Sequence, residues 1–275
     1  MLKNQLIIYP ESDAYLTDAK ALSDKLDIPF AKSRDELDTF LSSFPSIYEE
    51  TRKLSDEKDK PLYLKINESG LSLTDGRLEL RGDFIENIPR LKPNNLQKEM
   101  LVKSAKIKNI SHTPILIDAT AGMGEDSLLL AAAGFNVILY EYDPIISALL
   151  KDTLNRASSI PELSDIVSRM ELHTESSIEA MNHLNFIPDV ILLDPMFPAR
   201  TKSALVKKKF QLLQKLEHPC SDENDLLFAA IAVTPHKIVI KRPLKGPFLA
   251  GIKPDYSLSG KAIRYDCILP GTRKF

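Results

Sequence analysis

From Pro61 onward the apolar residues fall at every second position: Leu62, Leu64 and Ile66, then Leu71 and Leu73, then Leu78 and Leu80. Residues 67–70 and the pair Asp75-Gly76 break the rhythm. Asp-Gly accommodates the positive backbone angles of a tight hairpin, so residues 61–80 are predicted to form a three-stranded antiparallel meander. Before it, residues 6–9 read as a strand and 14–26 as a helix, while 49–60 is a mixed-charge run with the character of a solvated helix face or loop.

Beyond the meander the period lengthens. Pro93-Asn94-Asn95 reads as a helix entry, and Leu96, Met100 and Leu101 supply an apolar stripe. From residue 115 short continuous apolar runs alternate with helical patterns. Strands are predicted at 115–118, 137–140, 170–173, 189–193 and 237–240, helices at 126–133, 144–157, 203–216 and 225–233, and a final strand or hairpin at 262–269 turning at Pro270-Gly271. Unbroken apolar strands are those buried on both faces, which is the condition of a parallel sheet covered by helices on either side. We therefore expect an α/β fold with a smaller N-terminal α+β region over residues 1–110 and the main sheet over 111–275.

Composition narrows the class. With 43% hydrophobic and 27% charged residues in 275, disordered and fibrous classes drop out. No apolar run approaches the ~20 residues that span a bilayer. The start, MLKNQLIIYPESD, meets acids too soon for a signal peptide, so a cytoplasmic protein without a membrane partner is expected. Cys220 and Cys267 make no disulfide framework, and five scattered histidines argue against a metal site. The net charge of −2 says nothing for nucleic acid, but residues 200–215 and 237–253 contain many bases and no acid.

The distinctive polar residues stand at the carboxyl ends of the predicted strands: Asp118, Glu141, Ser176 with Ser177, Asp194, and Lys241 with Arg242. In an open parallel sheet those ends form the ligand crevice. The turn after the first strand carries Gly122 and Gly124, which allow close approach of a ligand to the backbone. A dinucleotide would lay its pyrophosphate on the next helix N-terminus, but Glu125 and Asp126 occupy that place and would repel it. S-adenosylmethionine (SAM) carries a sulfonium and an ammonium instead, which suit those acids; favourable first-turn acids without a ligand are the simpler alternative. Glu141 is placed to accept hydrogen bonds from ribose hydroxyls. Asp194-Pro195-Met196-Phe197 suggests the chemistry. A carboxylate and a backbone carbonyl that accept the two N–H bonds of a nucleobase amine free its lone pair, and an aromatic ring stacks the base. Asp194, Pro195 and Phe197 supply those three parts. Arg200, Lys202, Lys207, Lys208, Lys241 and Arg242 would form a basic rim for an RNA backbone, unless the helix lysines merely solubilise.

DATAGMGED, YEYDP, the TESS after the third strand, and LLDPMFPARTKSALVKKK followed by VIKRP together resemble the bacterial small-subunit (16S) ribosomal RNA guanine-N2 methyltransferases. The resemblance is close over residues 115–243 and looser from 61 and through the tail. It implies a Rossmann-like seven-stranded methyltransferase sheet, SAM as donor, and 16S ribosomal RNA or the small ribosomal subunit as partner, with one guanosine near the 3′ end as the target. By matching motif positions it implies cofactor contacts at Glu125, Asp126, Glu141, Tyr142, Ser176, Ser177 and Asp194. The chain departs from the family pattern at Glu125 and Tyr142, where arginine is common. Two other readings compete: an NAD-dependent oxidoreductase, and a non-catalytic RNA-binding protein with a methyltransferase fold.

Overall fold

The computed structural model describes residues 6–43, 61–195, 212 and 222–272. They divide into two compact units, one running to Gly82 and one beginning at Asp83. In the first unit β1 (Ile8–Pro10) is followed by α1 (Leu16–Leu26) and α2 (Arg34–Ser43), then β2 (Tyr63–Asn67), β3 (Gly70–Thr74) and β4 (Glu79–Leu80). The expected meander is present as β2–β3–β4, antiparallel with Leu64 opposite Leu73 and Leu73 opposite Leu80. At its Asp-Gly turn the Asp75 carboxylate accepts from the amides of Arg77 and Leu78. Pairing of β1 with β2 is parallel, which makes a mixed sheet of four strands.

The second unit opens with three short helices, α3 (Ile88–Leu91), α4 (Pro93–Leu96) and α5 (Met100–Ala105). They belong to this unit for a packing reason, because Phe84, Leu101 and Ala105 are buried in the core of the main sheet. The division into compact units falls after Gly82, whereas the expected boundary was at residue 110. The basic residues of this stretch are also partly committed internally: the Arg90 guanidinium pairs with both oxygens of Glu99 at 3.0 and 3.1 Å.

Strands and helices then alternate: β5 (Ile115–Asp118), α6 (Glu125–Ala132), β6 (Asn136–Tyr140), α7 (Pro144–Ser158), α8 (Pro161–Val167), β7 (Met170–His173), α9 (Ser177–Asn182), β8 (Val190–Leu193), α10 (Glu223–Ala232), β9 (Lys237–Pro243) and the hairpin β10 (Tyr256–Ser259) with β11 (Ile263–Ile268). The helices α8 and α9 were not foreseen, and the expected helix at 203–216 lies outside the described residues apart from Leu212. Sheet order is β10-β11-β9-β8-β5-β6-β7, with β5 to β9 mutually parallel and β11 antiparallel between β9 and β10. This is the expected seven-stranded α/β sheet.

Period-two geometry explains the unbroken apolar strands. Leu116, Leu139, Leu192 and Val239 face one core with Leu128, Leu130, Leu150 and Leu163 of α6 to α8. Their neighbours Ile117, Tyr140, Ile191, Leu193 and Ile240 face the other with Met181 of α9 and Leu226, Leu227 and Ala230 of α10. Local sequence closes the helices where expected. Asp143 caps α7 by accepting from the amides of Ile145 and Ile146, and α6 ends in a Schellman turn at Gly134, with Phe135 N–H donating to Leu130 C=O. A lysine closes α5: buried Lys237 of β9 donates through Nζ to the carbonyls of Ser104 at 2.8 Å and Lys106 at 2.7 Å. No helix among the described residues is long and apolar enough to cross a membrane.

Gly124 begins α6 at φ +76°, and a Cβ there would meet Leu150 Cδ1 at 2.6 Å and Phe84 Cζ at 3.3 Å. Left-handed backbone and overpacking add, so Gly124→Ala is expected to cost about 2–4 kcal/mol. Gly122→Ala, with no atom within 4 Å of its Cβ, is expected to cost only about 1–2 kcal/mol for its positive φ. Urea unfolding of both variants checks the order, and equal losses would contradict the packing argument.

Candidate active site

The loop between β5 and α6 is shaped from within. Asp118, 2% exposed, spends one carboxylate oxygen on the Thr120 amide at 3.1 Å and the other on the Ser127 hydroxyl at 2.6 Å. Burial pushes its acid up to about 7, against the pull of those two donors. Asp118, expected among the cofactor contacts, thus has both oxygens engaged by the loop it shapes. The loop itself is tied to both neighbouring strands. Ala119 N–H donates to Leu192 C=O of β8, and Ala121 N–H to Tyr140 C=O of β6, each at 3.0 Å.

Glu141, just past β6, reaches back to this loop. One of its oxygens accepts from the Gly122 amide and the other from the Asp143 amide, both at 2.8 Å. Burial raises its acid to about 7 despite those amides. Next to it Tyr142 is 77% exposed, an aromatic face open to a ligand. Ser176 caps α9 by accepting from the Glu179 amide at 3.4 Å, and Ser177 is buried in its first turn. Both stand past β7 at the same edge of the sheet.

Asp194 and Pro195 follow β8 directly. Asp194 N–H donates to Thr120 Oγ1 at 2.7 Å, which fixes this segment to the β5–α6 loop. The pairing of Leu193 with Ile240 in β9 sets Asp194 beside Lys241. Lys241 Nζ donates to Asp126 Oδ2 at 2.6 Å and lies 2.9 Å from Asp194 Oδ2. Burial disfavours that ammonium, but the two carboxylates outweigh it and hold Lys241 protonated above the ordinary lysine range. Burial also raises the Asp194 acid, and Lys241 offsets part of that rise.

Two residues of the expected basic rim have partners within the protein. Lys241 is an internal partner of two carboxylates. Arg242 is 1% exposed, with Nε donating to Pro247 C=O at 3.2 Å and Nη1 facing Glu223 at 3.4 Å. It joins Arg264, whose Nη1 donates to the carbonyls of Pro243, Leu244 and Gly246 at 2.9 Å each, in holding the segment after β9. Alternation along β9 explains the change, because successive side chains leave opposite faces and Arg242 points away from Lys241. Phe197, Arg200, Lys202, Lys207 and Lys208 lie outside the described residues. Thr120 escaped the sequence reading; its one signal was a hydroxyl inside the glycine turn.

These residues fit SAM better than a dinucleotide. The space where Gly122 would carry a Cβ is open, so the backbone is approachable there. The α6 N-terminus holds Glu125, exposed, and Asp126, paired with Lys241, where a pyrophosphate would need bare amides. Glu141 and Tyr142 border the loop on one side and Asp194 on the other.

Comparison with known proteins agrees. Residues 48–270 match the family described as "Putative SAM-dependent methyltransferase". Ribosomal RNA small subunit methyltransferase J of Pseudomonas aeruginosa (strain LESB58) is 39% identical over 220 residues, 78% of this chain and 84% of the relative. The protein of the same name from Nitrosococcus oceani is 42% identical over 175 residues, 63% of this chain and 68% of the relative. A crystal structure of a SAM-dependent methyltransferase from Neisseria gonorrhoeae covers 98% of this chain and 97% of its own, with a TM-score of 0.70 at 26% identity. With the sheet order, the loop chemistry and these relatives in agreement, the chain belongs to the SAM-dependent methyltransferase family that includes ribosomal RNA small subunit methyltransferase J.

Proposed function

We propose that this protein transfers a methyl group from SAM to the exocyclic N2 of one guanosine near the 3′ end of 16S ribosomal RNA, in the cytoplasm. The observation that carries the reading is Asp194: a hydrogen-bond-accepting carboxylate at the end of β8, tied through Thr120 to the loop that borders the cofactor pocket. A guanine N2 amine is a poor nucleophile because its lone pair is delocalised into the ring. The Asp194 carboxylate and the Pro195 carbonyl accept its two N–H bonds and favour the pyramidal nitrogen that attacks. When bound, SAM supplies a methyl group activated by its sulfonium. Asp194 then takes the surplus proton from the product nitrogen, a task suited to a carboxylate whose acid burial has raised. Phe197 stacks the base. Glu141 holds the ribose of the cofactor, Tyr142 offers a face to its adenine, and the segment at Ser176 and Ser177 borders the same end. Asp126 faces the positive groups of SAM. The contribution of the chain is positioning and charge placement, without a covalent enzyme intermediate. Arg200, Lys202, Lys207 and Lys208 supply the RNA backbone contacts.

Calorimetry separates this reading from a dehydrogenase: S-adenosylhomocysteine is expected to bind and NAD not, and a preference for NAD would overturn it. Primer extension on 16S RNA from cells lacking the protein is expected to lose a single N2-methylguanosine stop. Asp194→Ala is expected to lower methyl transfer by at least about 10²–10³-fold with RNA affinity nearly unchanged; full activity in that variant contradicts the role of Asp194.

Glu141 accepts ribose hydroxyls best when ionised. Since its acid sits at about 7 in the free protein, S-adenosylhomocysteine affinity is expected to rise with pH through neutrality and to release protons on binding. Glu141→Gln should weaken binding by about 1.5–3 kcal/mol and flatten that dependence. A flat profile in the unaltered protein removes Glu141 from the ribose site. For the RNA contacts, Lys207→Ala with Lys208→Ala is expected to shallow the slope of log affinity against log salt by about 1.5–2; an unaltered slope makes these lysines solubilising only.

A further inference from the structure

Lys241 is the one lysine of the acid-free 237–253 segment whose ammonium lies between two carboxylates of the site: Asp126 at the start of α6 and Asp194 at the end of β8. Its side chain is 25% exposed, and the two contacts at 2.6 and 2.9 Å use two of its three N–H bonds. A phosphate would have to reach it past both carboxylates, so an RNA backbone is poorly served there. We propose that Lys241 is a positioning residue, which keeps Asp194 ionised and aimed at the substrate amine and ties that aim to the cofactor-loop helix through Asp126. The inference rests on the methyl-transfer role given to Asp194 above.

Among the described residues the charges around Asp194 support it. Asp118 of β5 and Asp126 of α6 are negative neighbours, and Tyr265 of β11 faces the same cluster. Among the described residues Lys241 and Arg242 of β9 are the positive ones, and the Arg242 guanidinium is turned into the protein with its own partners. Thr120 fixes the backbone of Asp194 but adds no charge. The ammonium of Lys241 is thus the direct counterion. Without it a carboxyl crowded by two acids in a part-buried site binds a proton, and a protonated carboxyl accepts the amine N–H bonds poorly. The same ammonium couples the two halves of the site, because any movement of α6 that displaces Asp126 is felt at Asp194 through a single shared cation.

The test is the pH profile of kcat at saturating SAM and RNA for Lys241→Met, Lys241→Arg and Asp126→Asn, with S-adenosylhomocysteine affinity and the salt slope of RNA binding measured alongside. Lys241→Met is expected to lower kcat at neutral pH by about 10²-fold and to move its acidic limb up by at least about one pH unit, with the salt slope unchanged. Lys241→Arg keeps a cation and should return the limb towards its original position. Asp126→Asn removes a repelling acid and should move the limb the opposite way, downward. If Lys241→Met fails to fold, an unmoved limb in Lys241→Arg beside a lowered limb in Asp126→Asn carries the test. A limb that stays in place in all of them, or a salt slope reduced by about one in Lys241→Met, overturns the inference and makes Lys241 a phosphate contact. An unaltered protein that binds S-adenosylhomocysteine yet transfers no methyl group to RNA overturns the proposed function itself, a result distinct from either.

Discussion

Leu116 and Ile117 are successive residues of β5, point to opposite faces of the sheet, and are both fully buried. The same holds for Ile191 and Leu192 of β8. A parallel strand covered on both faces has no solvent side on which to keep a polar group, and each buried aliphatic contributes about 1.5–3 kcal/mol only while it stays covered. Polar chemistry is thereby confined to the strand ends. At or near the carboxyl ends stand Asp118, Glu141, Asp194 and Lys241, and the site is a consequence of that confinement.

Confinement brings an electrostatic difficulty. Carboxylates from β5, α6 and β8 collect where water is scarce; burial raises the acids of Asp118 and Asp194, and neighbouring carboxylates add to the rise. The chain answers with donors of different kinds. Asp118 receives a hydroxyl and an amide, Glu141 receives two amides, and Asp126 with Asp194 receives one ammonium. Neutral donors leave Asp118 and Glu141 with acids near 7. Their native forms bind more protons than the unfolded chain between the ordinary carboxylate range and neutrality, so these two groups stabilise the fold less as pH rises through that window. Such a site is kept for what it does, and its cost is carried by the apolar core beneath it.

Cations are used in the same economical way elsewhere in the larger unit. Arg264 and Arg242 turn inward and collect the carbonyls of the segment after β9, while Lys237 closes α5. Lys237 and Arg242 come from a stretch without acids, and all three serve the backbone. Charge along a sequence therefore says less about a partner than the direction in which a strand sends each side chain.

Much was legible before any coordinates. The meander followed from period-two alternation and Asp-Gly, and the parallel sheet from unbroken apolar runs, because these depend on local geometry that a residue carries with it. The family followed from DPMFP and its neighbours. Tertiary structure alone decided three things. It placed residues 83–105 with the main sheet, since that depends on where Leu101 and Ala105 are buried. It gave Asp118 to the loop, since only folding brings Ser127 to its oxygen. And it took Lys241 and Arg242 from a surface rim into the interior, since strand pairing between β8 and β9 sets which residues of distant sequence share a charge.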